Sequence, residues 1–349
     1  MSGKTILTIG ILAHVDAGKT SITECLLHHS GATKSLGSVD KGSTITDGLS
    51  MEKSRGISIK ASAVNFSWEN ILFQLVDTPG HIDFSAEVDR SLSILDGVIL
   101  VVSAREGIQA HTLNLWESLI ERKLPVIVFF NKIDRDGVDV EQVFLDFEKD
   151  LGAKLFALNY PDLSDPDQPK LLSFTDCGPH LNSRILDQSM ENLAECDETF
   201  LEDYLEGNTS DLRPISEKGK QNIKMGLLYG ALFGSAKLGL GIAELLDSIS
   251  TLIPQPKSYF PKPAAKVFKV TFHEKKGRLA YIKLYGGVLK SKDLILSQQL
   301  NKDIKINQIF KPHLGDFVQV SELQSGEIGV ITTSDIILSG DILGAENLN

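Results

Sequence analysis

The chain has 349 residues, of which 42% are hydrophobic, and a formal net charge of −11 at pH 7. This length predicts two domains, and no apolar run is long enough to cross a bilayer. The acidic balance disfavours DNA or any simple nucleic-acid binding, because phosphate contacts require Lys and Arg. The absence of a signal pattern and the odd, scattered cysteines predict a cytoplasmic protein; they are Cys25, Cys177 and Cys196.

The first predicted elements are a buried strand over residues 6–12 and a helix over residues 18–30, joined by a tight turn. Backbone N–H groups of such a turn attract phosphate, while Lys19 would reach the outer phosphates and the Thr20 hydroxyl would ligate Mg²⁺. Ala13 replaces the first glycine of the general pattern, so an ordinary amphipathic helix remains an alternative. The candidate nucleotide-binding residues are Ala13, His14, Val15, Asp16, Ala17, Gly18, Lys19 and Thr20.

Residues 31–56 are rich in Gly, Ser and Thr and predict a mobile loop. A hairpin follows, with strands over residues 60–67 and 71–76. The second strand runs into a glycine turn, where Asp77 is placed to hold the water shell of a metal ion, although the turn is also a good one by composition alone. The candidates here are Asp77, Thr78, Pro79, Gly80 and His81.

Further along, strands are predicted over residues 97–103 and 125–130, with a helix over residues 109–122 between them. The second strand ends in Asn131, Lys132, Ile133 and Asp134. A carboxylate at Asp134 accepts hydrogen bonds from N1–H and the 2-amino group of guanine, a donor pair that adenine lacks at that edge. Asn131 is placed to tie this loop to the phosphate loop, and the Lys132 stem is placed to cover the base.

A fourth strand segment, residues 227–234, leads to Ser235, Ala236 and Lys237, whose backbone N–H groups are candidates to receive the guanine carbonyl oxygen. Four motifs at the carboxyl ends of predicted strands are the arrangement in which an open α/β sheet binds ligands. Residues 138–151 predict a helix, and the proline-punctuated stretch over about residues 152–225 predicts an inserted subdomain with a helix over residues 191–205.

A helix over residues 239–253 closes this first domain, residues 1–253, and a proline-rich linker is predicted over residues 254–263. Alternating strands with glycine turns then predict a small β-barrel over residues 264–349. The sequence therefore predicts a doubly wound, mostly parallel α/β domain with an insert, followed by a β-barrel domain.

The motif set resembles that of P-loop translational GTPases of the elongation factor G group. The motifs are residues 13–20, 55–59, 77–81, 131–134 and 235–237. Residues 36–42, the Ile133 variant of the base motif and residues 278–285 resemble more specifically the tetracycline-resistance ribosomal protection proteins. The resemblance covers essentially the whole chain and implies a GTPase that converts GTP to GDP and phosphate. Its C-terminal domains would be absent, since the chain ends near the point where a third domain begins in relatives.

The resemblance also implies roles for individual residues. Thr20, Ser58 and Asp77 would hold Mg²⁺, although the family usually has threonine at the position of Ser58. His81 would orient the attacking water, and Val15 and Ile57 would form an apolar gate that keeps His81 away until a partner acts. For His81 an ordinary turn histidine is the alternative, and for Asp16 a cation contact and a loop cap are equally open.

The implied partners are ribosomal RNA and protein, with stimulation of hydrolysis by the ribosome, and we expect a monomer without a membrane partner. Two functional classes stay open. One is a ribosome-stimulated GTPase that releases tetracycline or moves translation components. The other is a nucleotide-gated binding module that hydrolyses GTP poorly.

Overall fold

The computed structural model describes residues 5–37, 62–77, 85–165, 168–177, 183–256, 260–273, 276–313 and 316–345. The chain folds into two compact units. One comprises Met1–Gly10, Gly42–Asp96 and Gln255–Asn349, and the other comprises Ile11–Lys41 and Gly97–Pro254. The predicted loop over residues 31–56 lies outside the described residues from residue 38 onward.

Strands and helices are interspersed in the first part of the chain and strands dominate the later part. The first part contains β1 Thr5–Ala13, α1 Lys19–His29, β2 Ser62–Trp68, β3 Ile71–Asp77, α2 Ser85–Leu92, β4 Gly97–Ser103, α3 Ala110–Glu121, β5 Val126–Asn131, α4 Val140–Leu151, β6 Leu155–Ala157, β7 Asn159–Asp162, β8 Lys170–Ser173, α5 Arg184–Cys196, α6 Glu198–Leu205, α7 Leu212–Lys224, β9 Tyr229–Phe233 and α8 Ile242–Leu252. The later part contains β10 Ala264–His273, β11 Gly277–Gly286, β12 Val288–Lys290, β13 Leu294–Ser297, β14 Lys302–His313, β15 Asp316–Val320, β16 Glu322–Gln324, β17 Ile328–Thr333 and β18 Ile342–Leu343.

A parallel sheet forms the centre of the unit that holds Gly97–Pro254. Its strands follow the order β4-β5-β9-β6, and the β4–β5 register pairs Val98 with Val126 and Ser103 with Asn131. Every residue of β4 and β5 is buried, as expected for parallel strands covered on both faces. This arrangement confirms the predicted α/β class and places the ends of β4, β5 and β9 at one edge.

In the predicted insert over about residues 152–225, the structure differs from one predicted helix. The single helix predicted over residues 191–205 is wrong, because the structure has two helices, α5 and α6, that meet at Asp197. Asp197 leaves the helical conformation, with φ −129° and ψ 100°, and its side chain accepts hydrogen bonds from the backbone N–H groups of Thr199 and Phe200. Such an N-cap starts a new helix at Glu198. The insert also contains α7, which the sequence pattern did not predict.

Helix α8 begins later than predicted, at Ile242 instead of residue 239. Gly239 and Gly241 have φ values of 71° and 79°, and this left-handed backbone is incompatible with a helix. Gly241 instead forms the N-cap of α8.

The other unit contains two parts of the chain. In the first, β2 and β3 form an antiparallel hairpin in which Val64 lies opposite Leu75, and β3 neighbours β1. In the second, the strand order β18-β10-β11-β17-β14 is closed by β13, which pairs with both β14 and β18. The ring encloses an aliphatic core that includes Val267, Ile282 and Ile331. It is the small β-barrel that the alternating pattern predicts.

Candidate nucleotide-binding site

The phosphate loop joins β1 to α1 through two residues with left-handed backbone. Asp16 has φ 62° and Gly18 has φ 99°. A side chain at Gly18 would collide with Nδ2 of Asn131, so both backbone conformation and space require glycine here. The loop thus brings its main chain close to the base loop that follows β5.

The start of α1 is suited to an anion. Gly18 is the N-cap and supplies no side-chain hydrogen bond, and the first turn has no acidic residue. The first N–H groups of a helix lack intrahelical partners and carry positive partial charge. Lys19 is the first helical residue and is 8% exposed, and the half-buried Thr20 follows it. These donors fit phosphate oxygens, and the Thr20 hydroxyl fits the hard oxygen ligand that Mg²⁺ prefers.

Asn131 connects three loops. Its side chain is 2% exposed; Nδ2 donates to the Ala17 carbonyl at 2.8 Å, and Oδ1 accepts from the Ala236 N–H at 3.0 Å. A buried amide with both ends bonded fixes its neighbours, because losing either bond leaves a buried polar group unpaired. The phosphate loop and both base loops are therefore held as one constellation.

The two oxygens of Asp134 have different surroundings. Oδ1 accepts from the Ser235 hydroxyl at 2.6 Å, whereas Oδ2 lies 3.9 Å from Nζ of Lys237. The Asp134 side chain is 7% exposed and lines a cavity of about 400 Å³ together with Lys237 and Leu238. Oδ2 is thus placed to accept hydrogen bonds from a ligand.

In the loop after β9, fewer backbone N–H groups are available to a ligand than the sequence predicts. Of the three N–H groups expected to receive the guanine carbonyl, that of Ser235 donates to the Leu240 carbonyl at 3.1 Å and that of Ala236 donates to Asn131. Within the described part of the chain, only the N–H of Lys237 among these three has no partner. That N–H is the one of the three that is available to a ligand.

Glu106 is a residue of this site that the sequence motifs did not identify. Nζ of Lys132 lies 3.1 Å from Oε2 of Glu106 and 3.2 Å from Oε1, and Lys132 has φ 67°. Burial alone would raise the pKa of Glu106, but hydrogen bonds from Ser103 and Lys132 outweigh it and lower the pKa below its usual value. A position just after a strand that neighbours β5 is the signal that identifies such a partner.

The remaining candidates are placed as follows. Ile133 is buried and donates its N–H to the Gly234 carbonyl, Val15 is half-buried, and the rings of His14 and His111 lie 6.1 Å apart. Asp77 ends β3, but its side chain lies outside the described residues. The same holds for the candidate gate, metal-holding and catalytic residues Ile57, Ser58, Thr78, Pro79, Gly80 and His81.

The described residues contain neither a clustered metal site nor a membrane helix. No group of three or more His, Cys, Asp or Glu side chains there is arranged to hold a metal ion. No helix in the described ranges has the length and hydropathy needed to span a membrane.

A glycine-dependent phosphate loop and two base loops at one edge of a parallel sheet define a P-loop nucleotide-binding domain. Residues 4–255 match the model of the elongation factor Tu GTP binding domain. The chain belongs to this family, and its ligand is therefore a guanine nucleotide.

Curated relatives extend over the whole chain. It is 40% identical to the tetracycline resistance protein TetP of Clostridium perfringens, over 99% of this chain and 52% of that protein. It is 36% identical to TetM from transposon Tn5251 of Streptococcus pneumoniae, over 98% of this chain and 52% of that protein. The chain thus spans about half the length of these relatives.

A solved structure is similar in fold. A crystal structure of a Thermus thermophilus protein superposes with a TM-score of 0.83 at 26% identity, covering 99% of this chain and 55% of that one. The likeness extends over both the nucleotide domain and the barrel.

Proposed function

We propose that the chain binds GTP with Mg²⁺ and hydrolyses it to GDP and phosphate, as the nucleotide-driven part of a factor that protects the ribosome from tetracycline. The observation that carries the nucleotide half of this proposal is the constellation of Asn131, Asp134 and the phosphate loop. The drug half rests on the relatives named tetracycline resistance proteins.

Guanine selectivity follows from Asp134. Asp134 lines the cavity, and the hydrogen bond from Ser235 to Oδ1 orients the carboxylate and leaves Oδ2 for a ligand. A ligand that supplies N1–H and a 2-amino group pairs with this carboxylate, whereas adenine cannot supply these two donors to a nearly buried charge. The N–H of Lys237 completes the edge by donating to the guanine carbonyl.

Hydrolysis requires charge neutralisation at the phosphates and a positioned water. Lys19 and the first N–H groups of α1 supply positive charge to the β and γ oxygens. Thr20, Ser58 and Asp77 would hold Mg²⁺, which neutralises charge on the same oxygens when bound. His81 orients the attacking water. Val15 and Ile57 form an apolar gate that keeps His81 away from the water until the ribosome engages the factor.

A single-turnover hydrolysis assay with and without ribosomes tests this assignment. His81→Ala should leave GTP affinity within a few-fold and reduce ribosome-stimulated hydrolysis about a hundredfold or more, because it removes a group used only in the transition state. Lys19→Ala should instead abolish GTP binding. His28→Ala, at an exposed histidine near the end of α1, is the matched control.

If the His81 variant hydrolyses GTP normally, another residue positions the water. If the unmodified chain binds GTP but hydrolyses none even with ribosomes, it is a nucleotide-gated binding module.

The drug role is tested with a chimera that joins residues 1–349 to the remaining half of the Clostridium perfringens relative. In an in vitro translation system inhibited by tetracycline, the chimera should restore synthesis, and the same chimera with Lys19→Ala should not. A chimera that replaces a translocation factor but gives no protection would instead favour the elongation-type alternative.

A further inference from the structure

A buried lysine of the barrel lies against the connection between α2 and β4. Lys283 is in the middle of β11 and is 2% exposed. Its Nζ donates to Oδ1 of Asp96 at 2.7 Å and to the Ile94 carbonyl at 2.7 Å. Both acceptors belong to that connection, and all three residues lie in the same compact unit.

The Asp96 carboxylate carries this contact to β1. Its second oxygen, Oδ2, accepts from the Thr8 N–H at 2.7 Å, and the N–H of Asp96 donates to the Thr8 carbonyl at 2.8 Å. Thr8 is fully buried in the middle of β1, and β1 ends at Ala13, the first residue of the phosphate loop. Lys283, Asp96 and Thr8 therefore form a continuous relay from β11 to the strand that carries the phosphate loop.

A second contact of the same kind reaches β3. Gln74 is 1% exposed, and its Oε1 accepts the Ile328 N–H of β17 at 3.1 Å. Gln74 lies three positions before Asp77, the candidate metal-holding residue that ends β3. The Tyr285 hydroxyl also donates to the Ser93 carbonyl at 3.3 Å.

The Lys283–Asp96 ion pair places two charges in a buried environment. Burial lowers the pKa of the Lys283 ammonium, and the Asp96 carboxylate acts in the opposite direction. Replacing a buried ion pair by apolar residues often leaves stability unchanged or higher. Removing only one partner leaves a buried charge without a counter-charge and is strongly destabilising. A buried pair therefore contributes most by fixing which groups meet, and here it fixes β11 against Asp96 and β1.

We propose that Lys283 is a positioning residue that couples the barrel energetically to the nucleotide site, so that nucleotide binding stabilises the barrel. This inference rests on the proposed binding of guanine nucleotide. Because coupling free energy is reciprocal, a partner whose affinity for the barrel is changed by the nucleotide changes nucleotide affinity by the same factor. The barrel is in this sense part of the nucleotide-responsive machinery.

Hydrogen exchange of the whole chain, measured by mass spectrometry with and without saturating GDP, tests the coupling. GDP should slow exchange of the barrel amides in β11 and β17 about tenfold or more in the unmodified chain, because a coupled barrel opens only together with the nucleotide domain. In Lys283→Met this slowing should fall to less than about twofold in the barrel while persisting in α1 and β5. Lys283→Arg, which keeps the charge and its donors, should retain it.

Lys302→Met is the matched control, because it removes an exposed barrel ion pair in which Nζ lies 2.6 Å from Oδ1 of Asp335. It should leave the GDP effect intact. If Lys283→Met does not fold, Lys283→Met combined with Asp96→Asn leaves no unpaired charge and still breaks the relay.

The outcomes separate the two hypotheses. Calorimetric titration of the same samples with GDP reports nucleotide binding by itself. If the unmodified chain does not bind GDP, the proposed function is wrong. If it binds GDP without slowing exchange in the barrel, or if the Lys283→Met variants keep the slowing, the coupling is wrong and the proposed function stands.

Discussion

Asp134 and Asp96 are both largely buried carboxylates, yet the structure uses them in opposite ways. Asp96 has both oxygens satisfied within the chain, by Lys283 and by the Thr8 N–H. Asp134 lines a cavity; its Oδ1 accepts a hydrogen bond from the Ser235 hydroxyl, while its Oδ2 accepts none within the described residues and lies 3.9 Å from Nζ of Lys237. A carboxylate that is saturated internally stabilises the fold, and one held with a free oxygen is prepared for a ligand.

The surroundings of the two groups explain the difference. Asp134 is on a loop at the carboxyl edge of the parallel sheet, where strands end and ligands bind. Asp96 lies in the connection immediately before β4, and its partners come from β1 and the barrel. Substitutions at each carboxylate should therefore separate loss of ligand from loss of stability.

The largest effect is expected at Asp96, the carboxylate whose two oxygens both have partners within the chain. Asp96→Asn should lower the free energy of unfolding by about 3 kcal/mol, because it leaves the Lys283 amine buried without its counter-charge. Denaturant titration followed by circular dichroism measures this. Asp335→Asn, which breaks the exposed pair with Lys302, should cost less than about 1 kcal/mol. Equal effects of the two substitutions would show that the buried Asp96–Lys283 pair matters no more for stability than an exposed pair.

Asp134→Asn should act on the ligand instead. GDP affinity should fall about a hundredfold, and xanthosine diphosphate should gain affinity, because its 2-oxo group accepts the hydrogen bond that asparagine donates. The melting temperature without nucleotide should change little. Calorimetric titration measures both affinities, and Asp136→Asn, at an exposed neighbour on the same cavity, is the control. Loss of folding without a change in base preference would make Asp134 structural.

A third carboxylate, Glu148, has hydrogen bonds but no ion pair with a cationic side chain among the described residues. Its Oε1 accepts from the Leu155 N–H at 2.9 Å and from Asn192 Nδ2. Burial is the largest cause that raises its pKa to about 7, and Glu195 and Glu191 add to it. The folded protein therefore favours the protonated acid more strongly than the unfolded chain does.

The raised pKa of Glu148 determines whether the free energy of unfolding rises or falls with pH. The stabilisation from Glu148 is fully present below the unfolded pKa, near 4.5, and is lost as the pH rises through about 7. Glu148→Gln should remove this slope and raise the free energy of unfolding at pH 8 by about 1 kcal/mol, a value discounted for partial solvent screening. Denaturant titrations at pH 5 and pH 8 measure it. Glu202→Gln, at an exposed residue of α6, should leave the slope unchanged; an unchanged slope in Glu148→Gln would contradict the assignment.

The smallest effect is expected at Glu106. Because its pair with Lys132 is partly exposed, Glu106→Gln should weaken GDP binding only about two- to threefold, or roughly 0.5 kcal/mol. Glu106→Asp should retain part of the affinity, and Glu121→Gln, on the exposed face of α3, should change nothing. Stopped-flow dissociation of a fluorescent GDP analogue resolves such differences. An unchanged dissociation rate would show that Glu106 does not position Lys132.

The sequence alone determined the elements whose signals are local. The continuous apolar runs of β4 and β5 identify buried parallel strands, and the Gly-Lys-Thr turn identifies the start of α1, because these patterns depend on neighbouring residues only. The strand-end positions of Asn131 and Asp134 also follow from the chain itself. The break between α5 and α6 escaped prediction, because the Asp197 cap competes with a helical pattern that continues on both sides.

Only the tertiary structure decided which polar groups meet. Asn131 bonds to Ala17 across 114 positions, and Lys283 bonds to Asp96 across 187. Neither pairing has a sequence period, because contacts between distant segments depend on strand order and on the closure of the barrel. The same dependence decided that Asp134 keeps an oxygen open to a ligand while Asp96 does not.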